Sequence, residues 1–127
     1  SMIKDLEYAE FVQSVTSDYS KDNMSMLSRM EEMSMADGVK TSHLLTAALG
    51  LTGEAGEFAD HVKKIFFHGK AYDDDRREAM ILELGDIMWY VMQACEALEV
   101  SLEEVVYDNV DKLSERHPDG FKKDYKS

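Results

Sequence analysis

Residues 42–67 read SHLLTAALGLTGEAGEFADHVKKIFF, and residues 75–98 read DRREAMILELGDIMWYVMQACEAL. In both stretches, apolar side chains recur at the three- and four-residue spacing that is typical of a helix with a buried side. Neither stretch contains proline, and the pair His68-Gly69 follows the first one as a stop signal. The centre of the chain is therefore predicted to form two long consecutive helices.

The first 40 residues give a weaker helical pattern. A helix is predicted from about Ile3 to Tyr19, and a polar stretch follows at residues 20–23. The methionine-rich piece after it ends at Asp37-Gly38. It is interpreted either as a short helix or as a loose connection, and its methionines favour an adaptable core or interface.

The C-terminal part contains a clear helix start. Ser101 and Glu104 form a capping box, so a helix is predicted from Ser101 to about Arg116, ahead of Pro118. No segment shows the alternation of a β-strand. The predicted fold is all-α, a helical bundle of about four to five helices in a single domain over residues 1–127.

Charge and cysteine content exclude several classes of function. The chain of 127 residues has 14 Lys and Arg against 26 Asp and Glu, a net charge of −12. Such a chain repels nucleic acid and anionic membranes, so neither is expected as a partner. The single cysteine, Cys95, excludes a disulfide framework within the chain and a cysteine-rich zinc site.

The location in the cell is predicted from the lack of a long apolar segment. No run reaches the roughly 18 residues of a membrane span. Charged residues break up any signal-peptide core near the N-terminus, namely Lys4, Asp5, Glu7 and Glu10. A cytoplasmic protein is expected.

Four carboxylates lie on the apolar sides of the two central helices. Glu54 and Glu57 are three residues apart on the first, and Glu83 and Asp86 repeat that spacing on the second. Uncompensated carboxylates on a buried side are costly, so either their pKa values rise or cations hold them. Hard oxygen ligands without a nearby cysteine favour Mg²⁺ or Mn²⁺.

The alternative is that acidic pairs at this spacing arise by chance in an acidic helical protein. Two pairs on consecutive helices, flanked by Gly53, Gly56 and Gly85, favour the metal site. A glycine costs about 1 kcal/mol in a helix, but its missing side chain lets another helix or a phosphate approach.

A second set of polar residues lies on the last predicted helix. Asn109, Lys112 and Arg116 share one stripe, at positions i, i+3 and i+7. Phosphate binding is one interpretation. The other is structural: Asn109 would bond a neighbouring helix, and the two cations would complement the helix dipole. Lys64 follows the first acidic pair and is the basic residue nearest to its stripe.

The ordered motifs resemble a known family. Glu54-x-x-Glu57, a gap of 25 residues and Glu83-x-x-Asp86 resemble the MazG-like all-α nucleoside triphosphate pyrophosphohydrolases. The resemblance covers roughly residues 42–121 and includes the segment Asn109-Val110-Asp111-Lys112-Leu113. The length is similar to that of the short single-domain phage and bacterial versions.

The resemblance implies Mg²⁺-dependent hydrolysis of an NTP or dNTP to the monophosphate and pyrophosphate by a metal-activated water. By the same resemblance, the four acids, Glu54, Glu57, Glu83 and Asp86, would bind the metal and carry catalysis. Asn109, Lys112, Lys64 and Arg116 would hold phosphates. Trp89 or Tyr90 would help to form the base pocket, and the alternative for both rings is a place in the core. The resemblance also implies a homodimer or homotetramer.

Two other classes of protein remain open. A non-catalytic helical interaction module would use the methionine-rich surface to bind a partner. A carboxylate-bridged di-metal protein of the ferritin type would need Glu-x-x-His pairs, and His61 stands at the wrong offset from Glu54 and Glu57. His61 is interpreted as a packed or partly exposed histidine rather than a ligand.

Overall fold

The computed structural model describes residues 4–121 of the chain. In this range the backbone forms six α-helices, and its β structure is limited to an isolated bridge between Pro118 and Gly120. The helices are α1 (Asp5–Ser14), α2 (Asp18–Lys21), α3 (Asn23–Asp37), α4 (Thr41–Phe67), α5 (Asp74–Leu98) and α6 (Leu102–Arg116). The predicted all-α class is confirmed, with six helices where about four to five were expected.

The difference in helix number arises near the N-terminus. The helix predicted from Ile3 to Tyr19 ends at Ser14, and α2 follows as a separate turn; Ile3 itself lies outside the described residues. The Ser14 hydroxyl donates to the carbonyl of Phe11 at 2.7 Å, and the Thr16 hydroxyl donates to that of Val12. These side chains satisfy carbonyls at the helix end and allow the chain to leave the helix.

The methionine-rich piece is a regular helix, α3, which decides between the two interpretations of its sequence. The Asp22 carboxylate accepts a hydrogen bond from the backbone N–H of Ser25 at 3.1 Å and so caps its start. Gly38, at φ 67°, ends it in the left-handed conformation that glycine adopts without strain.

The chain divides into two compact units, one up to Thr41 and one from Ser42 onward. The first unit holds α1 to α3, and the second holds α5, α6 and nearly all of α4. The predicted motif-bearing part, residues 42–121, lies in the second unit. The prediction of one domain over residues 1–127 stays a prediction.

Within the second unit, α4 and α5 run antiparallel. His43, early in α4, is hydrogen-bonded to Gln93, late in α5, whereas His61, late in α4, is hydrogen-bonded to Arg76 in the first turns of α5. In the described part of the chain, the buried apolar residues are small, namely Ala47, Cys95 and Ala97. The hairpin by itself therefore encloses little core.

The ends of α5 and α6 follow their sequence signals. Asp73 caps α5 by accepting from the backbone N–H of Arg76 at 2.8 Å, and the Ser101 hydroxyl caps α6 by accepting from that of Glu104 at 3.1 Å. As predicted, α6 ends at Arg116. None of the helices in residues 4–121 is long and apolar enough to span a membrane.

Candidate metal centre

Three carboxylates converge between α4 and α5. Glu54 on α4 and Glu83 and Asp86 on α5 each place one oxygen so that the three oxygens lie within 4.8 Å of one another. Glu54 and Glu83 are half-buried, and Asp86 is exposed. We call these three residues the carboxylate cluster.

The cluster follows from helix geometry. Glu83 and Asp86 are three residues apart, so they lie on one side of α5. The antiparallel pairing of the two helices then places Glu54 of α4 opposite them. Each helix is regular through this region, which means that the cluster stands on rigid backbone.

The carboxylate cluster changes the acidity of Glu54. A hydrogen bond between the Glu54 and Glu83 carboxyl groups raises the pKa of Glu54 above its ordinary 4.5. Partial burial and the negative charges of Asp86, Glu83 and Glu57 raise this pKa further. Like charges are therefore close enough to disfavour the ionised form.

Glu57 does not belong to the carboxylate cluster. It lies one turn beyond Glu54 on α4, its side chain is exposed, and its charge is the smallest contribution to the raised pKa of Glu54. Its predicted role as a fourth metal ligand stays a prediction.

The donor set fits a hard divalent cation. All three groups offer carboxylate oxygen, which Mg²⁺ and Mn²⁺ prefer. No lysine or arginine among residues 4–121 forms an ion pair with them, and the imidazole of His61 lies 3.7 Å from Glu83. No direct ion pair with a lysine or arginine of the described chain thus compensates the charge of the carboxylate cluster.

A histidine and an arginine extend the cluster towards the start of α5. The Nε2 atom of His61 lies 3.7 Å from Oε1 of Glu83, and the Nδ1 atom of His61 lies 2.9 Å from a guanidinium nitrogen of Arg76. Sequence reasoning interpreted His61 as a packed or partly exposed residue and missed Arg76. A signal was present, because a cation in the first turn of a helix is disfavoured by the helix dipole and needs a partner.

Lys64 is engaged elsewhere. Its ammonium lies 2.8 Å from one carboxylate oxygen of Asp60, and that of Lys63 lies 3.1 Å from the other. The hydrogen bonds from Lys64 and Lys63 lower the pKa of Asp60 to about 2. A phosphate would have to compete with Asp60 for Lys64.

The polar stripe on the last helix forms as predicted, since α6 includes Asn109, Lys112 and Arg116. All three side chains are exposed, and none is hydrogen-bonded or ion-paired to the carboxylate cluster. Their phosphate-binding role is untested by this geometry and stays a prediction.

Tyr90 lies one turn after Asp86 on α5, and its ring covers Gly50, one turn before Glu54 on α4. Its ring meets that of Trp89 edge to face, with centroids 4.8 Å apart. Tyr90 is therefore next to the carboxylate cluster. Gly50 allows this close approach, whereas Gly53, Gly56 and Gly85 face open space, with nothing from the neighbouring elements of residues 4–121 within 4 Å of an added Cβ.

Comparison with known proteins gives a consistent result. The model of the MazG nucleotide pyrophosphohydrolase domain matches residues 42–121. The Gene 37 protein of Mycobacterium phage L5 is 42% identical over 73 residues. That match covers 57% of this chain and 64% of the phage protein, which is less than two thirds of its length. No solved structure matches the chain.

Proposed function

Since the chain belongs to the MazG nucleotide pyrophosphohydrolase domain family, we propose that it hydrolyses a nucleoside triphosphate, NTP or dNTP, to the monophosphate and pyrophosphate with Mg²⁺. The observation that carries the proposal is the carboxylate cluster, where three acids of the two ordered motifs meet within 4.8 Å. Three like charges this close repel one another, and a bound cation would remove that cost.

Charge supports a role for the cation. The chain has a net charge of −12, and a nucleoside triphosphate is itself a polyanion. The two would repel unless a cation intervened. When bound by Glu54, Glu83 and Asp86, Mg²⁺ would neutralise phosphate charge and make a water molecule more acidic.

The protein's own groups would complete the reaction. One of the glutamates would accept the proton of the attacking water. Lys64 would exchange Asp60 for a phosphate oxygen and stabilise the leaving pyrophosphate. The Tyr90 ring would stack on the base beside the carboxylate cluster.

Asn109, Lys112 and Arg116 would bind phosphate as a group. They share one exposed stripe of α6. Bidentate hydrogen bonds from Arg116 and a point charge from Lys112 suit phosphate oxygens. In this proposal, α6 delivers these side chains to a carboxylate cluster of its own or of a second copy.

We also propose that the protein is a homodimer or homotetramer. Apolar side chains of α5 and α6 are exposed along two helices: Ile81, Met88, Met92, Val106, Val110 and Leu113. A second copy with two-fold symmetry would cover them. Light scattering at micromolar concentration checks this, and a fully active 14.5 kDa monomer would contradict it.

The experiment for the activity is a panel of NTPs and dNTPs incubated with Mg²⁺, with the phosphorus-containing products identified by ³¹P NMR. We expect monophosphate and pyrophosphate in equal amounts from at least one nucleotide, and none with EDTA. Diphosphate with inorganic phosphate would indicate cleavage at the other anhydride. No turnover of any nucleotide would favour the non-catalytic interaction module.

A further inference from the structure

Arg76, His61 and Glu83 form a series of neighbouring side chains that ends at the carboxylate cluster. The guanidinium of Arg76 lies against Nδ1 of His61, and Nε2 of His61 faces Oε1 of Glu83. The side chains of His61 and Glu83 are only 18% and 20% exposed. Packing between α4 and α5 therefore restricts both of them.

The chemistry of arginine determines the tautomer of His61. A guanidinium only donates hydrogen bonds, so Nδ1 of His61, at 2.9 Å from it, must accept with its lone pair. The neutral imidazole then carries its proton on Nε2, which points the N–H towards the Glu83 carboxylate at 3.7 Å. This distance is longer than a hydrogen bond, so the attraction is that of a dipole for a nearby charge.

Neither nitrogen of His61 retains a free lone pair in this arrangement, and a metal ligand needs one. His61 is consequently not a ligand. From this geometry we infer that His61 is a positioning residue, which orients the Glu83 carboxylate for the cation, and that Arg76 fixes the tautomer that does so. The inference rests on the proposed function, because it assigns a support to that same site.

The series is anchored in the backbone. The N–H of Arg76 is held by the Asp73 carboxylate at 2.8 Å as part of the cap of α5. The residue that fixes His61 is thus itself fixed at the start of a helix. The helix dipole disfavours a cation at this place, and the bond to His61 gives Arg76 a compensating partner.

The experiment measures the affinity for Mn²⁺, followed through the electron paramagnetic resonance signal of the free ion, on the full chain. Removing an outer support of a metal site typically weakens binding 10- to 100-fold. We expect about tenfold for H61L, because the contact to Glu83 is longer than a hydrogen bond. H61Q should recover most of the loss, since the glutamine amide can place an N–H where Nε2 lies.

H43L is the matched control. His43 is also half-buried on α4 and is also hydrogen-bonded across to α5, through Gln93, but it lies three turns from Glu54. Both H43L and H61L remove a histidine hydrogen bond between α4 and α5. Only H61L should weaken Mn²⁺ binding, and equal weakening in both variants would indicate a purely structural role and overturn the inference.

A second readout is independent of metal. Correlation of the imidazole ¹H and ¹⁵N nuclei at pH 8, in EDTA, distinguishes the two neutral tautomers. We expect the Nε2–H form for His61 in the wild type and a mixture of both forms in R76L. The Nδ1–H form in the wild type, or an unchanged pattern in R76L, would overturn the role of Arg76.

The outcomes separate this inference from the proposed function. If the wild type binds Mn²⁺ and H61L binds it equally well, the positioning role is overturned and the proposed function is not. If the wild type binds no Mn²⁺, both are overturned.

Discussion

Two acids of the same helix, Glu54 and Asp60, lie less than two turns apart on α4 and have opposite electrostatic surroundings. Lys63 and Lys64 hold Asp60 at 3.1 and 2.8 Å, and its pKa falls to about 2. Glu54 faces Glu83 and Asp86, and its pKa rises. The charge of Asp60 is compensated by lysines of its own helix, whereas Glu54 meets further acids from the neighbouring helix.

The difference shows how a functional acid can be separated from an ordinary one in an acidic protein. Asp60 has lysines three and four residues ahead, the spacing at which a helix pairs its own charges. Glu54 has no such neighbour in sequence, and its surroundings would be unfavourable unless a cation were used there. Uncompensated charge on rigid backbone is what distinguishes the candidate site.

The largest effect is expected on turnover, when one carboxylate charge is removed from the carboxylate cluster and, for comparison, from Asp60. We expect E54Q or D86N to lower turnover about 100-fold or more, which corresponds to about 2.7 kcal/mol of activation barrier, while circular dichroism stays helical. D60N makes the same chemical change on the same helix and should keep turnover within about threefold. Steady-state release of pyrophosphate measures all three variants.

A loss in D60N as large as that in E54Q would contradict the comparison, because both acids would then be functional. Activity of E54Q and D86N within about threefold of the wild type would contradict the assignment of the carboxylate cluster as the metal site.

The next effect concerns Gly50, which lies on the cluster side of α4. An added methyl group there would overlap the Tyr90 ring, so we expect G50A to destabilise the fold by about 1–3 kcal/mol. G53A adds the same methyl group in open space and should instead stabilise the helix by up to about 1 kcal/mol. Urea unfolding followed by circular dichroism measures both. Equal stability of the two variants would mean that Tyr90 does not pack on Gly50.

Metal should stabilise the fold through the carboxylate cluster and not through Asp60. At a Mg²⁺ concentration about ten times its Kd, binding to the folded state alone adds about 1.4 kcal/mol, or roughly 5 °C in melting temperature. The rise should persist in D60N and disappear in the double variant E83Q/D86N. Sodium chloride at matched ionic strength is the control. An equal rise with sodium chloride would indicate general screening of the negative charge.

The smallest effect is on the pH dependence of stability in EDTA. Because the pKa of Glu54 is raised in the folded state, the contribution of Glu54 to folding stability is fully present below pH 4.5. That contribution is lost as the pH rises through the folded-state pKa. E54Q should therefore melt slightly higher than the wild type at pH 7, and the difference should vanish below pH 4.5.

The effect of Asp60 on the pH dependence of stability has the opposite sign. Its lowered pKa gives a contribution that is present above pH 3.8 and is lost as the pH falls towards about 2. D60N should melt at a slightly lower temperature than the wild type at pH 7. The difference is small because the ion pairs of Asp60 with Lys63 and Lys64 are exposed and screened. Melting curves from pH 3 to pH 8 test both variants, and shifts of the same sign would contradict the electrostatic difference.

Local signals in the sequence predicted much of the fold. The observed bounds of α4, α5 and α6 lie within a residue of those predicted, because glycine after α4 and Ser101 before α6 act on the backbone directly. The N-terminal region was predicted less well. There the break after Ser14 depends on hydroxyl-to-carbonyl bonds, for which the apolar pattern carries no signal.

The candidate site was predicted in part. The spacing of three residues identified Glu54, Glu83 and Asp86, and they meet. The same spacing also selected Glu57, which lies outside the group of three. Periodicity specifies the side of a helix on which a residue lies, but not how far its side chain reaches towards a neighbouring helix. For that reason it did not distinguish Glu57 from the other three, nor connect Arg76 with His61.

The helical class, the ends of α4, α5 and α6 and the sides on which the acids lie follow from local sequence signals. These features depend on backbone hydrogen bonding and periodicity within about a turn of each residue. The packing of α4 against α5 set which acids converge, which nitrogen of His61 faces Glu83 and which glycine lies under an aromatic ring. Those features depend on distances between α4 and α5, and such distances are set by packing across the whole hairpin.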